Sequence, residues 1–427
     1  MRLILVDRSA EVRSRFHPVA LSRPVWELRT GMTTLGEKLV RRTGPDDVAC
    51  FVPDYLAEAY RATTDRPVND PAALAGDDLL LVDARVRADS FDVPSSGPSR
   101  IALDADGRIL YGRVTRSDAA TLPADDVDAF LAAARDRLPT TRAAVATYDY
   151  IWDLILANPA QLRADFAAAG RSGIEGNVEQ PSAIRGSERN VYVAPGARIH
   201  PMAVIDATDG PVTIDEGAEV HPFTRIVGPC YIGPGTVLLG AKCHEGNSFG
   251  PHCRIGGEVE CSIIQGYTNK YHDGFLGHAY VGEWVNLGAL TTNSDLKNDY
   301  SNVSVIMYGH RPTDTGSDKV GCFIGDHIKT SIGTFLNTGA YVGAMGVIMA
   351  TGKPLQKFIP SFAWVLEGVV TKGFGKKALY RTAAQVMQRR GREWTKADQA
   401  MWDHVFEMTR PSRDELIKKG RRAMRKL

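Results

Sequence analysis

"VTIDEGAEVHPFTRIVGPCYIGPGTVLLG", residues 212–240, carries Ile214, Val220, Ile226, Ile232 and Leu238 at intervals of six. A helix returns to one face every 3.6 residues and a strand every two, so neither alone produces this beat. Gly, Pro, Asp or a small residue tends to follow the aliphatic one. This is the signature of hexapeptide coils, in which three six-residue edges make one triangular turn and the aliphatic side chain points to the axis. The same beat runs through Val193, Ile199 and Ile205, through Phe275, Val281 and Leu287, and through Ile324, Thr330, Leu336, Val342 and Ile348. The expected fold over residues 179–364 is a left-handed parallel β-helix.

Upstream, over residues 1–178, the pattern differs. "RLILVD", "DVACFVP" and "DDLLLVDARV" are short continuous apolar runs, as in strands buried on both faces, while "GMTTLGEKLVRR" and "DDVDAFLAAARDRL" carry helical spacing. Such alternation predicts an α/β domain with a mostly parallel sheet. "IALDADGRILYGRV" has the Asp-Gly turn of a hairpin. Downstream, residues 365–427 lack hexads and show helical spacing with many basic side chains, and are expected as helices outside the β-helix. The terminal "IKKGRRAMRKL" reads as a solvated helix end, or as a contact for a cofactor phosphate or a neighbouring subunit.

The 51 basic and 50 acidic side chains leave a formal charge of +1, which gives no global field for nucleic acid or a membrane surface. The N-terminal "MRLILVDRSAEVRSRF" meets Asp7 after four apolar residues, too few for a signal peptide or a spanning helix, and a cytoplasmic location is expected. Six cysteines without a CxxC pair read as reduced thiols rather than disulfides or a zinc site.

A β-helix stacks edge on edge and offers no deep pocket within one chain, so a small-molecule site is expected where chains meet, in a homotrimer. The natural walls are segments that leave the coil. Residues 265–274 and 295–319 both break the beat.

"GGEVECSIIQGYTNKYHDGFLGHAYVGEWVNLGALTTNSDLKND", residues 256–299, resembles the acetyltransferase domain of the bifunctional enzymes that make UDP-N-acetylglucosamine. The likeness covers about residues 190–350. "VALSRPVWELRTGMTTLGEKL", residues 19–39, is similar to the nucleotide-binding signature of a branch with a short, divergent nucleotidyltransferase domain. In that family a histidine four residues before a Leu-Gly pair is the general base that takes a proton from the amine of glucosamine-1-phosphate as it attacks acetyl-CoA. "HDGFLG" puts His272 there, and an imidazole titrates near enough to neutrality for the task. A structural histidine bonded to a turn carbonyl is the alternative, and is the reading adopted for His221, His252 and His278. The resemblance further implies Asn286 as a sugar ligand, the backbone of Ala289 near the thioester, and Lys297 against the sugar phosphate. Lys270 is a second phosphate candidate by position. Two departures stand out: Leu290 where the family has glycine, and Phe275 where it commonly has tyrosine.

No Gly-rich loop follows "LILVD". Arg15, Arg23 and Arg29 in one loop, with Lys38 in the helix after it, are the candidates for holding a nucleoside triphosphate, the alternative being a salt-bridged surface loop. Asp83, at a strand end where an α/β sheet opens its crevice, is the candidate Mg²⁺ ligand, or else a simple cap. The expected function is therefore double: acetyl transfer on the β-helix and nucleotidyl transfer, with UTP as the expected donor, on the sheet domain. Three rivals remain. The sheet domain binds nucleotide without catalysis; the β-helix is a carbonic anhydrase-type zinc enzyme, which needs three converging histidines; or it is purely structural, which leaves both polar interruptions unexplained.

Overall fold

The computed structural model describes residues 1–94, 96–307, 311–349, 352 and 354–424, with side chains to 422, so the last three residues of the basic C-terminal end lie outside it. The chain forms two compact units. One comprises Met1–Arg15, Ser22–Leu28 and Thr33–Asp149; the other comprises Phe16–Leu21, Arg29–Met32 and Tyr150–Leu427.

In the first unit Arg2–Val6 pairs in parallel with Asp47–Phe51 on one side and Leu79–Asp83 on the other. Arg2–Val6 and Leu79–Asp83 lie inside the sheet and are covered on both faces, which is why they read as continuous apolar runs, while Asp47–Phe51 is the edge strand and is exposed at its start. The sheet then turns antiparallel through Ile109–Val114 and Arg100–Leu103, the hairpin foreseen at Asp-Gly, with Gly107 at φ +79°. The helix Leu35–Thr43 starts at a reciprocal Thr34–Glu37 cap and ends at the left-handed Gly44. Val127–Arg137 starts at Asp126, whose carboxylate accepts from the Ala129 N–H. Ile4, Leu79, Leu81, Ile101, Val114 and Phe130 form the centre of the core.

The second unit is a parallel β-helix followed by helices. One face stacks ten strands: Ile174 starts the ladder at the exposed end, and the buried inward residues that follow are Val193, Ile214, Ile232, Phe249, Ile264, Val281, Ile324, Val342 and Ile359. Val281 pairs directly with Ile324, so the whole 295–319 interruption loops out between adjacent coils, where Ser304–Ile306 and Pro312–Asp314 form a small hairpin. The hexad beat needs one correction. Glu258 aligns with Phe275 and Val259 with Leu276, so Leu276 points to the axis and Phe275 faces outward. The edge from there to Val281 is one residue shorter than six, with His278 turning the corner at φ +46°.

Besides Phe16–Leu21 and Arg29–Met32, this unit takes in the chain from Tyr150 onward. The helix Ile151–Ala169 is fastened to the coils by buried Asn158. Its Oδ1 accepts from Gly31 N–H at 2.6 Å and Ser248 Oγ at 2.9 Å, and its Nδ2 donates to Gly246 O at 2.7 Å. At the other end, Trp364–Leu366 and Val369–Thr371 close the β-helix antiparallel. Helices Lys376–Gln388, Lys396–Met408 and Arg410–Met424 follow, as expected. Gly420 lies so close to Val370 O that a Cβ there would stand 2.5 Å away. All six cysteines are free.

Candidate functional site

A second inward ladder passes through Val178, Ile199, Val220, Leu238 and Ile255, and the next residue in register is Lys270. The third ladder runs Ile205, Ile226, Cys243, Val259, Leu276, and on a later coil Asn293 takes the place aligned with Leu336. Thr330, aligned with Ile348, is the other polar inward residue here. The axis therefore becomes polar at the coils from which the 271–274 segment leaves. Each polar group is satisfied: Asn293 accepts from Gly277 N–H and donates to Gly277 O, both at 2.9 Å, and Thr330 Oγ1 accepts from Gly288 N–H at 2.9 Å and lies 2.7 Å from Thr291 Oγ1.

Lys270 is 2% exposed, and its ammonium donates to His272 O at 2.8 Å. Burial pulls its pKa down to about 8, opposed by the nearby Asp273 and Glu258 carboxylates and Cys243. The neighbouring carbonyl, Asp273 O, accepts from Leu290 N–H at 2.7 Å. Both carbonyls of the turn are thereby held, and the His272 side chain stands exposed, its ring edge-on to Tyr271 at 5.0 Å. Lys270 faces the axis rather than solvent, so the surface phosphate contact expected of it is replaced by support of the histidine turn.

Asn286 is exposed and lies in an outward row between Asn269 and Lys329. Its Oδ1 accepts from Asn269 Nδ2 at 3.4 Å, and Asn269 Oδ1 accepts from Arg390 at 3.1 Å. Lys329, absent from the sequence-based candidates, donates to Trp284 O at 2.5 Å, and burial lowers its pKa to about 8. Its signal, a lysine one step before an inward threonine, is visible only once register is known. Ala289 O accepts from Gly333 N–H at 2.8 Å. Leu290 takes φ +60°, the conformation glycine favours, with its side chain 54% exposed. The leucine thus leans to solvent, in a backbone conformation that glycine adopts without strain. Lys297 donates to Ser301 Oγ at 3.1 Å and to Asn302 O. Burial first, and then Lys297, depress the pKa of Lys357, which itself donates to Ser304 O at 3.3 Å. Two lysines thus meet over the inserted loop.

His278 is buried, with Nδ1 2.8 Å from Asp295 Oδ2 and Glu260 close by; Glu260 is paired with Lys319 at 3.2 Å. Among the described residues, no metal-capable group joins three histidines, and His272 belongs to none.

In the first unit a cleft of about 510 Å³ opens at the C-terminal ends of the parallel strands, lined in part by Val6, Arg8, Ser9, Leu81, Asp83 and Arg108. Asp83 lies at its edge as expected. Its Oδ1 accepts from Arg85 N–H at 2.9 Å and Arg85 Nε at 3.0 Å, while burial raises its pKa against the pull of Arg85. Arg8 and Arg108 escaped the sequence-based list, although the strand-end rule that selected Asp83 applies equally to Arg8. Both are paired with carboxylates: Arg8 with Asp54 and Asp128, Arg108 with Asp106 and Glu11. Arg15, Arg23 and Lys38 are not among the residues lining this cleft. Arg15 pairs with Glu11 at 2.9 Å, and Lys38 is buried in its helix. Arg29 belongs to the other unit, where its N–H donates to Tyr280 Oη at 2.7 Å and its guanidinium to Met32 O at 2.5 Å.

The chain thus combines a strand-end cleft in a mixed sheet with a hexapeptide β-helix that carries a clasped histidine turn. Residues 3–172 match the model of the sugar nucleotidyl transferase family. A bifunctional sugar-1-phosphate nucleotidylyltransferase/acetyltransferase of Sulfurisphaera tokodaii is 34% identical over 147 residues, 32% of this chain and 34% of that protein. The bifunctional protein GlmU of Polaromonas naphthalenivorans is 38% identical over 116 residues, 27% of this chain and 21% of its own length. That of a Thermotoga species is 28% identical over 196 residues, 40% of each. The chain is thus a relative of bifunctional nucleotidyltransferase/acetyltransferases at modest identity, and its matches span between a fifth and two fifths of these relatives' length. No helix among the described residues is long and apolar enough to cross a membrane.

Proposed function

We propose that the β-helix transfers an acetyl group from acetyl-CoA to the amine of glucosamine-1-phosphate or a related amino-sugar phosphate, with His272 as the base. The observation that carries this reading is the turn itself, whose two consecutive carbonyls are clasped by Lys270 and Leu290 N–H while the imidazole is left exposed. His272 takes the proton from the attacking nitrogen; the C–N bond forms, the C–S bond breaks, and the coenzyme leaves as thiolate. Asn286 orients the sugar, Lys297 faces its phosphate, and the Ala289 backbone lies by the thioester. In a homotrimer, a second copy completes the cleft. His272→Ala is expected to lower acetyl transfer by roughly 10² to 10⁴ while acetyl-CoA still binds. Lys297→Ala is expected to raise KM for the sugar phosphate more than it lowers kcat, because the phosphate attraction exists in ground and transition states alike. Near-normal turnover in His272→Ala would overturn the assignment.

The sheet domain is proposed to transfer a nucleotidyl group, with UTP as the expected donor, to the sugar-1-phosphate. Mg²⁺ fits the cleft, since it commonly takes one or two carboxylates plus substrate phosphates, and Asp83 still has Oδ2 outside its bonds to Arg85. When bound, the ion would neutralise triphosphate charge, with Asp83 as its protein ligand. Asp83→Asn is then expected to abolish pyrophosphate release. A second reading, nucleotide binding without catalysis, is favoured by the carboxylate pairing of Arg8 and Arg108. Absence of pyrophosphate release by the full chain with all four common triphosphates selects it.

A further inference from the structure

His221, an ordinary turn histidine by its sequence context, does not stand alone. His200 and His221 each follow an inward residue, Ile199 and Val220, on adjacent coils whose pairing aligns Arg198 with Glu219. Their rings lie 4.7 Å apart, tilted by 30°. Glu219 serves both: Oε1 is 2.9 Å from His200 Nε2 and Oε2 is 3.7 Å from His221 Nε2. One donor atom from each of the three falls within 4.8 Å of the others, and all three side chains are partly exposed.

Zn²⁺ binds imidazole nitrogen and carboxylate oxygen at about 2.0–2.2 Å in a tetrahedron, which sets neighbouring ligand atoms roughly 3.3 Å apart. The two imidazoles stand 2.9 Å from Oε1 and 3.7 Å from Oε2, on either side of that spacing, and one atom from each residue lies within 4.8 Å of the others, so a small rotation of the carboxylate brings one oxygen into place. The backbone beneath is a rigid ladder, so only side-chain rotations are needed to admit an ion. Arg198 and Arg254 act on Glu219 electrostatically, but their contacts lie with other groups: Arg198 is 3.9 Å from Glu179, and Arg254 donates to Gly235 O and Cys253 O at 3.1 and 2.9 Å. We propose that His200, Glu219 and His221 form a site for a divalent transition metal of the Zn²⁺ type, bracing two coils and leaving a fourth position open to water. Two nitrogens and one oxygen suit such an ion and do not suit Mg²⁺ or Ca²⁺, which prefer all-oxygen shells. The site is separate from the His272 turn and independent of the acetyl-transfer proposal.

The test is equilibrium dialysis of the full chain against Zn²⁺, with Co²⁺ as an optical probe. One ion per chain is expected, together with the intense visible band of four-coordinate Co²⁺ and a rise in the melting midpoint with Zn²⁺ but not with Mg²⁺. His200→Asn, His221→Asn and Glu219→Gln are each expected to weaken binding at least about tenfold and remove the Co²⁺ band. Their circular dichroism should match the wild type, because the side chains are on outward turns. Equal Zn²⁺ binding by the wild type and the His200→Asn/His221→Asn double variant overturns the proposal, as does a six-coordinate Co²⁺ spectrum unaffected by the substitutions.

Discussion

Lys270 shows one residue serving function against stability. An ammonium in an axis that is otherwise mostly aliphatic gives up hydration, and a single hydrogen bond to His272 O returns only part of it. Its folded pKa of about 8 lies below the ordinary 10.5. Below pH 8 both folded and unfolded chains carry the proton, and the folded chain bears the whole cost of burying it. Between about 8 and 10.5 the folded chain loses the proton first, so stability rises with pH across that window, by about 3 kcal/mol at one pKa unit per 1.36 kcal/mol. Lys270→Met keeps the side chain's length and removes the charge. It is expected to raise the melting midpoint at pH 7, flatten the rise above pH 8, and lower acetyl transfer about tenfold or more by releasing the His272 turn. Denaturant titrations from pH 7 to 10.5 check the first two. A wild-type profile as flat as the variant's would sink the account.

The coil is the element at which sequence and structure agree best, because its determinant is local and periodic. Ile205, Ile226 and Cys243 stack in register with no exposure above 1%, and nothing but the interval between aliphatic residues was needed to place Ile205 and Ile226. Ile226→Ala is therefore expected to cost about 2–5 kcal/mol in chemical denaturation, with Co²⁺ and acetyl-CoA binding retained below the transition. A loss under 1 kcal/mol would mean that the ladder collapses around the gap. Periodicity failed where an edge is short, assigning Phe275 to the axis in place of Leu276. It failed again where the axis is polar, since a lysine or asparagine pointing inward looks like a loop residue in one dimension. The arginines told the same lesson in the sheet domain. Arg29 looked like part of a phosphate loop, yet its segment packs with the β-helix unit through Tyr280, a contact 251 positions away in the chain. His272, Asn286 and Lys297 were proposed from the sequence because a motif carried them. Arg8, Lys329 and the His200–Glu219–His221 cluster were not, because only pairing across strands brings their partners together.

At the scale of the whole molecule, the surface around the histidine turn argues for a second copy. Tyr271, Leu290 and Ile332 are 47%, 54% and 71% exposed, and the bonds from Leu290 N–H to Asp273 O and from Gly333 N–H to Ala289 O set their segments side by side. Large apolar groups gathered beside the candidate turn mark a surface that another molecule covers, and closed symmetric assembly is the usual way a β-helix covers its flanks. In the proposed trimer of 46.5 kDa chains, Ile332 lies in the interface and the His272 cleft is complete only there. Light scattering is expected to give three times the chain mass at micromolar concentration. Ile332→Glu would place an unpaired carboxylate in that interface, so the variant is expected to sediment as a monomer. It should lose acetyl transfer while keeping its circular dichroism and whatever pyrophosphate release the wild type has, since the sheet domain is a separate unit. A variant that is monomeric and still transfers acetyl groups at the wild-type rate would show that one chain suffices for the site.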